Sequence, residues 1–418
     1  MKLFKYIEFL KENFNTKSFL PSYDECVELC TKLDSAFYEK KTNVDGYQIS
    51  VFNYRLAQYK DFSNPIPEKP ELKGHEMRGL VFVFNLDGSL YKRFVLLEKF
   101  FNLNQVPETL YSVVKNYKIK FISNKEDGSI ASFIKLPSGK IIGRSKMGFD
   151  NDQANGINRV YKTNKDIKSF VDWCLSNDII AIFEYVSSFN RIVLKYSEEE
   201  LILLRLRDNK TGKHIDIREH LDKIGSIRIA PFEDEIKDLD DLIELTATQV
   251  DKEGSIVTCE DEFGRDFFFK IKTPWYMSLH GLLTSDIYNE HVIISSILDD
   301  KIDDILGQIP EEEIETHKRI NKIIEVVKKA ISDKIHDLNL SYQVFVDMGK
   351  DRKEYALKYR GKEPNFGYVM AMAKGIDSYD LAKDWIRDNT KRLMIAREWL
   401  KNREPSLFFK DSEESDDN

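Results

Sequence analysis

The sequence predicts an α+β fold built on antiparallel sheets and followed by an all-α domain. Short β-rich runs begin at Tyr47 and end at Lys272, and turn signals such as Leu86-Asp-Gly-Ser89, Glu126-Asp-Gly128 and Pro137-Ser-Gly139 separate several of them. Apolar residues recur at helical spacing on either side of that stretch. Sheets segregated from a run of helices define the class.

The elements follow in order. Leu3, Ile7 and Leu10, then Cys26, Leu29 and Leu33, recur every three or four positions, so the first forty residues are expected to be helical. From Tyr47 the period changes. Strands are expected at Tyr47–Tyr54, Gly79–Asn85, Tyr91–Leu97, Tyr117–Ser123, Ile130–Leu136, Ile141–Arg144, Ile179–Val186, Arg191–Tyr196, Leu201–Leu206, Ser255–Cys259 and Asp266–Lys272, with a helix between Asn164 and Ser176. After about Leu282 the strands stop. Ile309-Pro310-Glu-Glu-Glu313 is a good helix start, with proline and acids in the first turn. Ile320, Ile323, Ile324, Val327 and Ile331 then form one apolar face, and a second helical set runs from Tyr379 to Trp399. The expected organisation is an α+β domain over 1–285, an all-helical domain over 286–410 and an acidic, disordered tail over 411–418.

A chain of 418 residues with 42 % hydrophobic and 12 % aromatic content, and only 11 Pro and 19 Gly, is globular and buries a large core. Its four cysteines are too few and scattered for a disulfide framework, which suits a reducing cytoplasm. Cys26 and Cys30, four apart with no Cys or His pair nearby, suit two small buried residues better than half a zinc site. The charged start Met1–Glu12 lacks the apolar core of a signal peptide, and no stretch approaches the roughly 18 apolar residues of a membrane helix. Cytoplasmic action and no membrane partner are therefore expected.

Several chemistries fail on motif. Thr211-Gly-Lys-His214 lacks the upstream glycine and following Ser or Thr of a Walker A loop; no GxGxxG is present; His75-Glu76 has no second histidine four residues along. With 7 His in all, a histidine metal centre is not expected.

Lys125-Glu-Asp-Gly-Ser129 closes the apolar run from Tyr117 and opens the next one. Taken alone it is equally an ordinary hairpin with a solvent-facing lysine. Its companions matter: Arg144-Ser-Lys146-Met-Gly148, 21 residues on; Phe183-Glu184-Tyr-Val186 followed by Asn190-Arg-Ile-Val-Leu194; Glu253-Gly254; Phe269-Lys270-Ile-Lys272 running into Trp275–His280; and, upstream, Arg78-Gly79 and Glu98-Lys99-Phe-Phe101-Asn-Leu-Asn104. In this order the elements resemble the covalent nucleotidyltransferase superfamily of ATP-dependent ligases and RNA capping enzymes. The closer resemblance is to the bacteriophage tRNA-repair ligases of the RNA ligase 1 family. Lys350–Ala356 and Phe366–Lys374 resemble the helical C-terminal domain of that family, whereas residues 1 to about 45 match less well. Two departures stand out. Met147 separates Lys146 from Gly148, adjacent in family members, and Asp261–Asp266 lengthens the link from Glu253 to Lys270, so an enlarged hairpin is expected.

The resemblance implies an antiparallel-sheet nucleotidyltransferase (adenylation) domain that joins 5′-phosphate and 3′-hydroxyl ends of single-stranded RNA, plausibly a broken tRNA anticodon loop. ATP would be the substrate and Mg²⁺ (or Mn²⁺) the metal, with host-cytoplasmic action if the source is a virus. Lys125 would attack the α-phosphorus. A lysine attacks only when neutral, and the nearby cations Lys146, Lys270 and Lys272 would favour that form while binding phosphates. Arg78 and Lys99 would hold the β and γ phosphates. Glu184 would accept a ribose hydroxyl, Gly128 leave room for adenine, Ile256 and Phe101 pack near the nucleotide, and Glu253 hold the metal through water. A monomer is expected. A DNA ligase or capping guanylyltransferase shares the first step but typically carries an OB-fold where this chain has helices; a non-catalytic RNA-end-binding protein would not need Lys125, Glu253, Lys270 and Lys272 together.

The net charge of −8 then conceals a contrast. Asp347 to Lys410 hold 15 Lys+Arg against 10 Asp+Glu, while Asp411 to Asp417 contribute five acids and no base. A basic helical surface for RNA, weakly competed by the tail, is expected.

Overall fold

The computed structural model describes residues 20–32, 35–62, 74–188, 194, 196–233, 235–236, 238–260, 266–279, 289–307, 309 and 313–408. The N-terminal apolar set Leu3 to Leu10, most of the expected strand Arg191–Tyr196, Pro310 and the acidic tail lie outside them. The chain divides into two compact units, 1–281 and 282–418.

Thirteen strands among the described residues make three sheets in the first unit. They are β1 Phe37–Val44, β2 Tyr47–Tyr54, β3 Leu80–Phe84, β4 Leu90–Phe94, β5 Phe101–Asn102, β6 Lys118–Lys125, β7 Ser129–Lys135, β8 Ile141–Ser145, β9 Ile179–Val186, β10 Glu200–Asp208, β11 His214–Ile215, β12 Gly254–Glu260 and β13 Asp266–Lys272. The sheet orders are β1-β2-β3-β4, β11-β10-β9-β7-β8 and β5-β13-β12-β6. All pairings are antiparallel except β5 with β13.

Sheet chemistry follows the sequence closely at the centre and less so at the edges. All eight residues of β9 are buried, as an unbroken Ile-Ile-Ala-Ile-Phe-Glu-Tyr-Val run requires of a central strand. β1 corrects the helical expectation for the first forty residues: helix occupies Tyr23–Thr31, and Phe37–Val44 is an edge strand. Its Glu39, Lys40 and Lys41 obscure the β signal, because an edge strand tolerates charge that a central one would exclude. The β1–β2 turn is Asp45-Gly46, both with positive φ (52° and 87°), the geometry that matches strand twist in a two-residue hairpin.

Asn164 caps the expected helix, observed at Lys165–Ser176, by accepting from the amides of Asp166 and Ile167 at 3.0 and 3.1 Å. A further helix, Asp152–Thr163, escapes hydrophobic patterning because its buried face is only Ala154, Gly156, Ile157, Val160 and Tyr161. The first two sheets share one core containing Phe52, Phe82, Phe94, Phe133 and Phe183. The third sheet has its own, where Ile122, Val257 and Phe269 meet Leu239 and Leu242 of the helix Leu239–Thr248.

The second unit is all helix among its described residues. Its spine is Ile314–Asp347, on which Ile320, Ile323, Ile324, Val327 and Ile331 are buried together. The set from Tyr379 onward forms two helices, Ser378–Thr390 and Leu393–Lys401. Buried Glu290 ties the unit by accepting from Arg319 and, at 3.0 Å, from Arg397. Among the described residues no helix is long and apolar enough to cross a membrane.

Candidate active site

Ladder register assembles the centre of the site. Lys125, last in β6, lies opposite Gly254 of β12, which lies opposite Lys272 of β13. The residue before Gly254 is Glu253, whose side chain is almost fully buried between the two lysines: Lys125 Nζ is 2.7 Å from Oε2 and Lys272 Nζ 3.3 Å from Oε1. Gly254 has φ 153°, and a Cβ there would stand 2.0 Å from the Ile271 carbonyl oxygen. Only glycine lets the strands close on Glu253.

One ladder step away, Ile256 pairs with Lys270 and with Ser123. Phe101 is buried and pairs with Phe269 across the parallel β5–β13 contact, where Lys270 faces Asn102. Lys270 thus joins the Lys272 strand to the segment that carries Lys99.

The loop after Lys125 is built into the core. Asp127 is 1 % exposed; it accepts from Tyr276 Oη at 2.8 Å and from the Leu194 amide at 2.7 Å. The Tyr276 ring also lies 5.2 Å from Lys272 Nζ. The motif's aspartate is therefore more than a turn residue: it ties the loop after Lys125 to the helix Pro274–Leu279 that follows Lys272.

Glu184, the sixth of the eight residues of β9, accepts from the Gly128 amide at 3.0 Å. Burial pushes its carboxyl up to about 8, with Lys125 and Arg78 pulling the other way and Glu253 adding to the rise. Those influences place Glu184 within electrostatic reach of Lys125, Glu253 and Arg78. At Gly128 a Cβ would be 2.4 Å from the Tyr185 carbonyl oxygen. The crowding that demands glycine here comes from β9 itself, whereas the expectation was space for adenine.

Lys99 and Lys146 meet at one ring. Lys146 Nζ is 4.9 Å and Lys99 Nζ 5.8 Å from the Tyr54 centroid, and Lys99 is 5.0 Å from Phe101. Lys146 and Met147 form the tip of a tight turn in which the Ser145 amide donates to the Gly148 carbonyl at 3.0 Å. The inserted methionine points into solvent, 46 % exposed. Asn53 donates to the Lys146 carbonyl at 2.9 Å. Arg78 donates to the Leu97 carbonyl at 3.1 Å, two residues from Lys99. The β12–β13 ladder runs unbroken from Gly254–Lys272 to Glu260–Asp266, and the expected enlargement beyond it lies outside the described residues.

Sequence reasoning missed Tyr54, Asn53, Tyr276 and Arg144. Each sits in or beside a run that scores simply as strand or helix. Position relative to the lysines distinguishes them, and pattern does not contain position.

A lysine beside a buried carboxylate that Lys272 also reaches, with Arg78 acting on the neighbouring Glu184 and with Lys99 and Lys146 gathered at the Tyr54 ring, suits a polyphosphate whose phosphorus is attacked by an amine. That chemistry defines the covalent nucleotidyltransferases. Residues 76–276 match the family model described as RNA ligase. A putative RNA ligase of Thermovibrio ammonificans is 26 % identical over 311 residues, which cover 73 % of this chain and 76 % of that one. Among solved structures, an archaeal ATP-dependent RNA ligase superposes with TM-score 0.45 at 12 % identity, over 77 % of this chain and 82 % of that one. A Naegleria gruberi RNA ligase variant with AMP and Mn gives TM-score 0.35 at 14 % identity, over 44 % and 57 %. Residues 76–276 are thus similar to the RNA ligase family.

Proposed function

We propose that this protein is an ATP-dependent RNA ligase that joins 5′-phosphate to 3′-hydroxyl ends of single-stranded RNA through three transfers. Lys125 Nζ bonds to the α-phosphorus as pyrophosphate leaves. The AMP then passes to an oxygen of the RNA 5′-phosphate, freeing the lysine. The 3′-hydroxyl finally attacks that RNA phosphorus and AMP departs, completing the phosphodiester.

The observation that carries this reading is the row Lys125–Glu253–Lys272 across three adjacent strands. Glu253 engages Lys125 Nζ, and that contact must open before attack. Lys270 and Lys272 would bind the α-phosphate, and Arg78, Lys99 and Lys146 the β and γ phosphates. Below about pH 8 Glu184 is protonated and can both donate to and accept from a ribose hydroxyl. Ile256 and Phe101 flank this row and would pack near the nucleotide.

A divalent cation, Mg²⁺ or Mn²⁺, fits the donor set. Among the described residues no cluster of three or more His, Cys, Asp or Glu forms a cage, and Glu253 is the central carboxylate. That suits a hard cation which keeps most of its waters and shares its shell with substrate phosphate. When bound there it would neutralise phosphate charge.

The helical unit would supply RNA contacts, with a nicked tRNA anticodon loop as the physiological substrate. Its local excess of Lys and Arg supports this. The enzyme would act as a cytoplasmic monomer, and a bacteriophage source fits a repair ligase of this kind.

Incubation with a divalent cation and α-labelled ATP or GTP tests the reading. Acid-labile, alkali-stable label from ATP alone, absent in Lys125→Ala, is the expected result; label from GTP alone would indicate a capping activity, and no label would leave an RNA-end-binding protein. Sealing of 5′-phosphorylated RNA, nicked tRNA and DNA in parallel separates the substrates.

A further inference from the structure

Three consecutive carbonyls in the segment linking β4 to β5 each accept from a different arginine. Val95 accepts from Arg144 Nη2 at 3.3 Å, Leu96 from Arg207 Nη1, and Leu97 from Arg78 Nη1 at 3.1 Å. The arginines come from β8, from β10 and from the approach to β3. The strap they staple leads directly into Glu98 and Lys99. Glu98 is gripped in turn by Arg207 at 3.3 Å and His214 at 2.8 Å, and the Lys99 amide donates to the His75 carbonyl at 2.9 Å.

Arg207 is neutralised by Glu76 and Glu98. Arg144 is not neutralised. It is 0 % exposed, its Nε has no hydrogen-bond partner, and among the described residues no carboxylate reaches it. Burial alone pushes it down to about 9. A buried charge without a counter-ion destabilises a fold relative to an apolar side chain of similar size. What Arg144 touches gives the compensating reason. Its Nη1 donates to the Gly79 carbonyl at 2.6 Å, next to Arg78; its Nη2 reaches the Lys99 strap; and it stands on β8 two residues before Lys146, which opens the turn after that strand. A Cβ on Gly79 would stand 3.0 Å from the Lys146 carbonyl and 3.2 Å from Arg144 Nη1, so the three segments cross at contact distance.

We propose that Arg144 is a positioning residue for the β and γ phosphates of the nucleotide, fixing the backbone segments that carry Arg78, Lys99 and Lys146 in one arrangement. The inference rests on the ATP-dependent reading above. The uncompensated charge adds to the field of those cations. Lys125, Glu253 and Lys272, which would handle the α-phosphorus, are brought together by the β6–β12–β13 register, and the carbonyls Arg144 bonds, Gly79 and Val95, lie in none of those strands.

That separation supplies the test. RNA that already carries a 5′-adenylate contains neither β nor γ phosphate, so its sealing should not need Arg144. KM for ATP and kcat of lysine adenylylation are measured beside the sealing of pre-adenylated RNA, for wild type, Arg144→Met and Arg144→Lys. Arg144→Met is expected to raise KM for ATP about tenfold or more, with a smaller change in kcat, and to seal pre-adenylated RNA within about twofold of wild type. Arg144→Lys keeps the charge without the planar fork and should fall between. Unchanged KM in both variants, or parallel loss of both reactions, overturns the proposal. Where melting shows Arg144→Met unfolded, the same comparison on Arg144→Lys decides. A wild-type protein that takes no label from ATP overturns the ATP-dependent reading instead, and the wild-type arm alone reveals that.

Discussion

Glu253 Oε2 lies 2.7 Å from Lys125 Nζ, so the lysine proposed to attack phosphorus is engaged by a carboxylate. The pair separates structure from chemistry. In Lys125→Arg a guanidinium can still meet Glu253, but it cannot lose a proton near neutral pH and form the adduct. The expected outcome is a melting temperature within a few degrees of wild type, by about the ΔΔG of a tolerated substitution, with no label from ATP. Adduct formation by this variant would remove Lys125 from the nucleophile role.

Glu253 also reaches Lys272 at 3.3 Å, and both side chains are mostly buried. Removing one partner leaves the other charge less fully compensated, which can cost more than removing both. Glu253→Gln, Lys272→Met and the double variant, measured by denaturant unfolding, should show a coupling energy on the order of 1–3 kcal/mol. Additive effects would mean that the pair contributes nothing to the folded state and that Lys125 alone holds Glu253.

Glu184 carries a pH signature. Folding raises its carboxyl from 4.5 to about 8, chiefly by burial. The folded protein therefore retains a proton that the unfolded chain has released, and stability declines as pH rises from the ordinary carboxylate range through about 8, then levels off. Glutamine cannot ionise. Glu184→Gln should thus melt higher than wild type at pH 9, with the advantage shrinking by pH 6. An advantage that stays constant with pH would show that Glu184 is ionised throughout.

Much of this arrangement is legible in the amino-acid pattern, and the limits have physical causes. β9 is recovered end to end because a strand buried on both faces is apolar at every position but Glu184. β1 is not, because an edge strand can be as charged as a surface helix. Lys125, Glu253 and Lys272 stand out by the elements around them, yet nothing local says that one glycine places them in a single row. That row is made by ladder register, and Lys125 joins it from a segment more than a hundred residues before Gly254. Arg144 appears in the sequence as a residue near Lys146. Its burial without a counter-ion, the property that marks it, exists only once three segments have crossed.

Gly128 gives the sharpest contrast between a substrate explanation and a fold explanation. If it is glycine to admit adenine, Gly128→Ala should fold normally and weaken nucleotide binding alone. The structure sets a different expectation. An added Cβ would stand 2.4 Å from the Tyr185 carbonyl, 2.9 Å from Val186 Cγ1 and 3.0 Å from Glu184 Cγ. The carbonyl belongs to the central strand of its sheet and has no flexible end to move aside, so β7 and β9 must separate locally. That separation would also stretch the 3.0 Å bond from the Gly128 amide to Glu184. Gly128→Ala should therefore destabilise the nucleotide-free protein by roughly 1–3 kcal/mol, the usual cost of overpacking a filled core. The measurement is denaturant unfolding without ATP. Wild-type stability together with weakened ATP binding would restore adenine as the reason for the glycine.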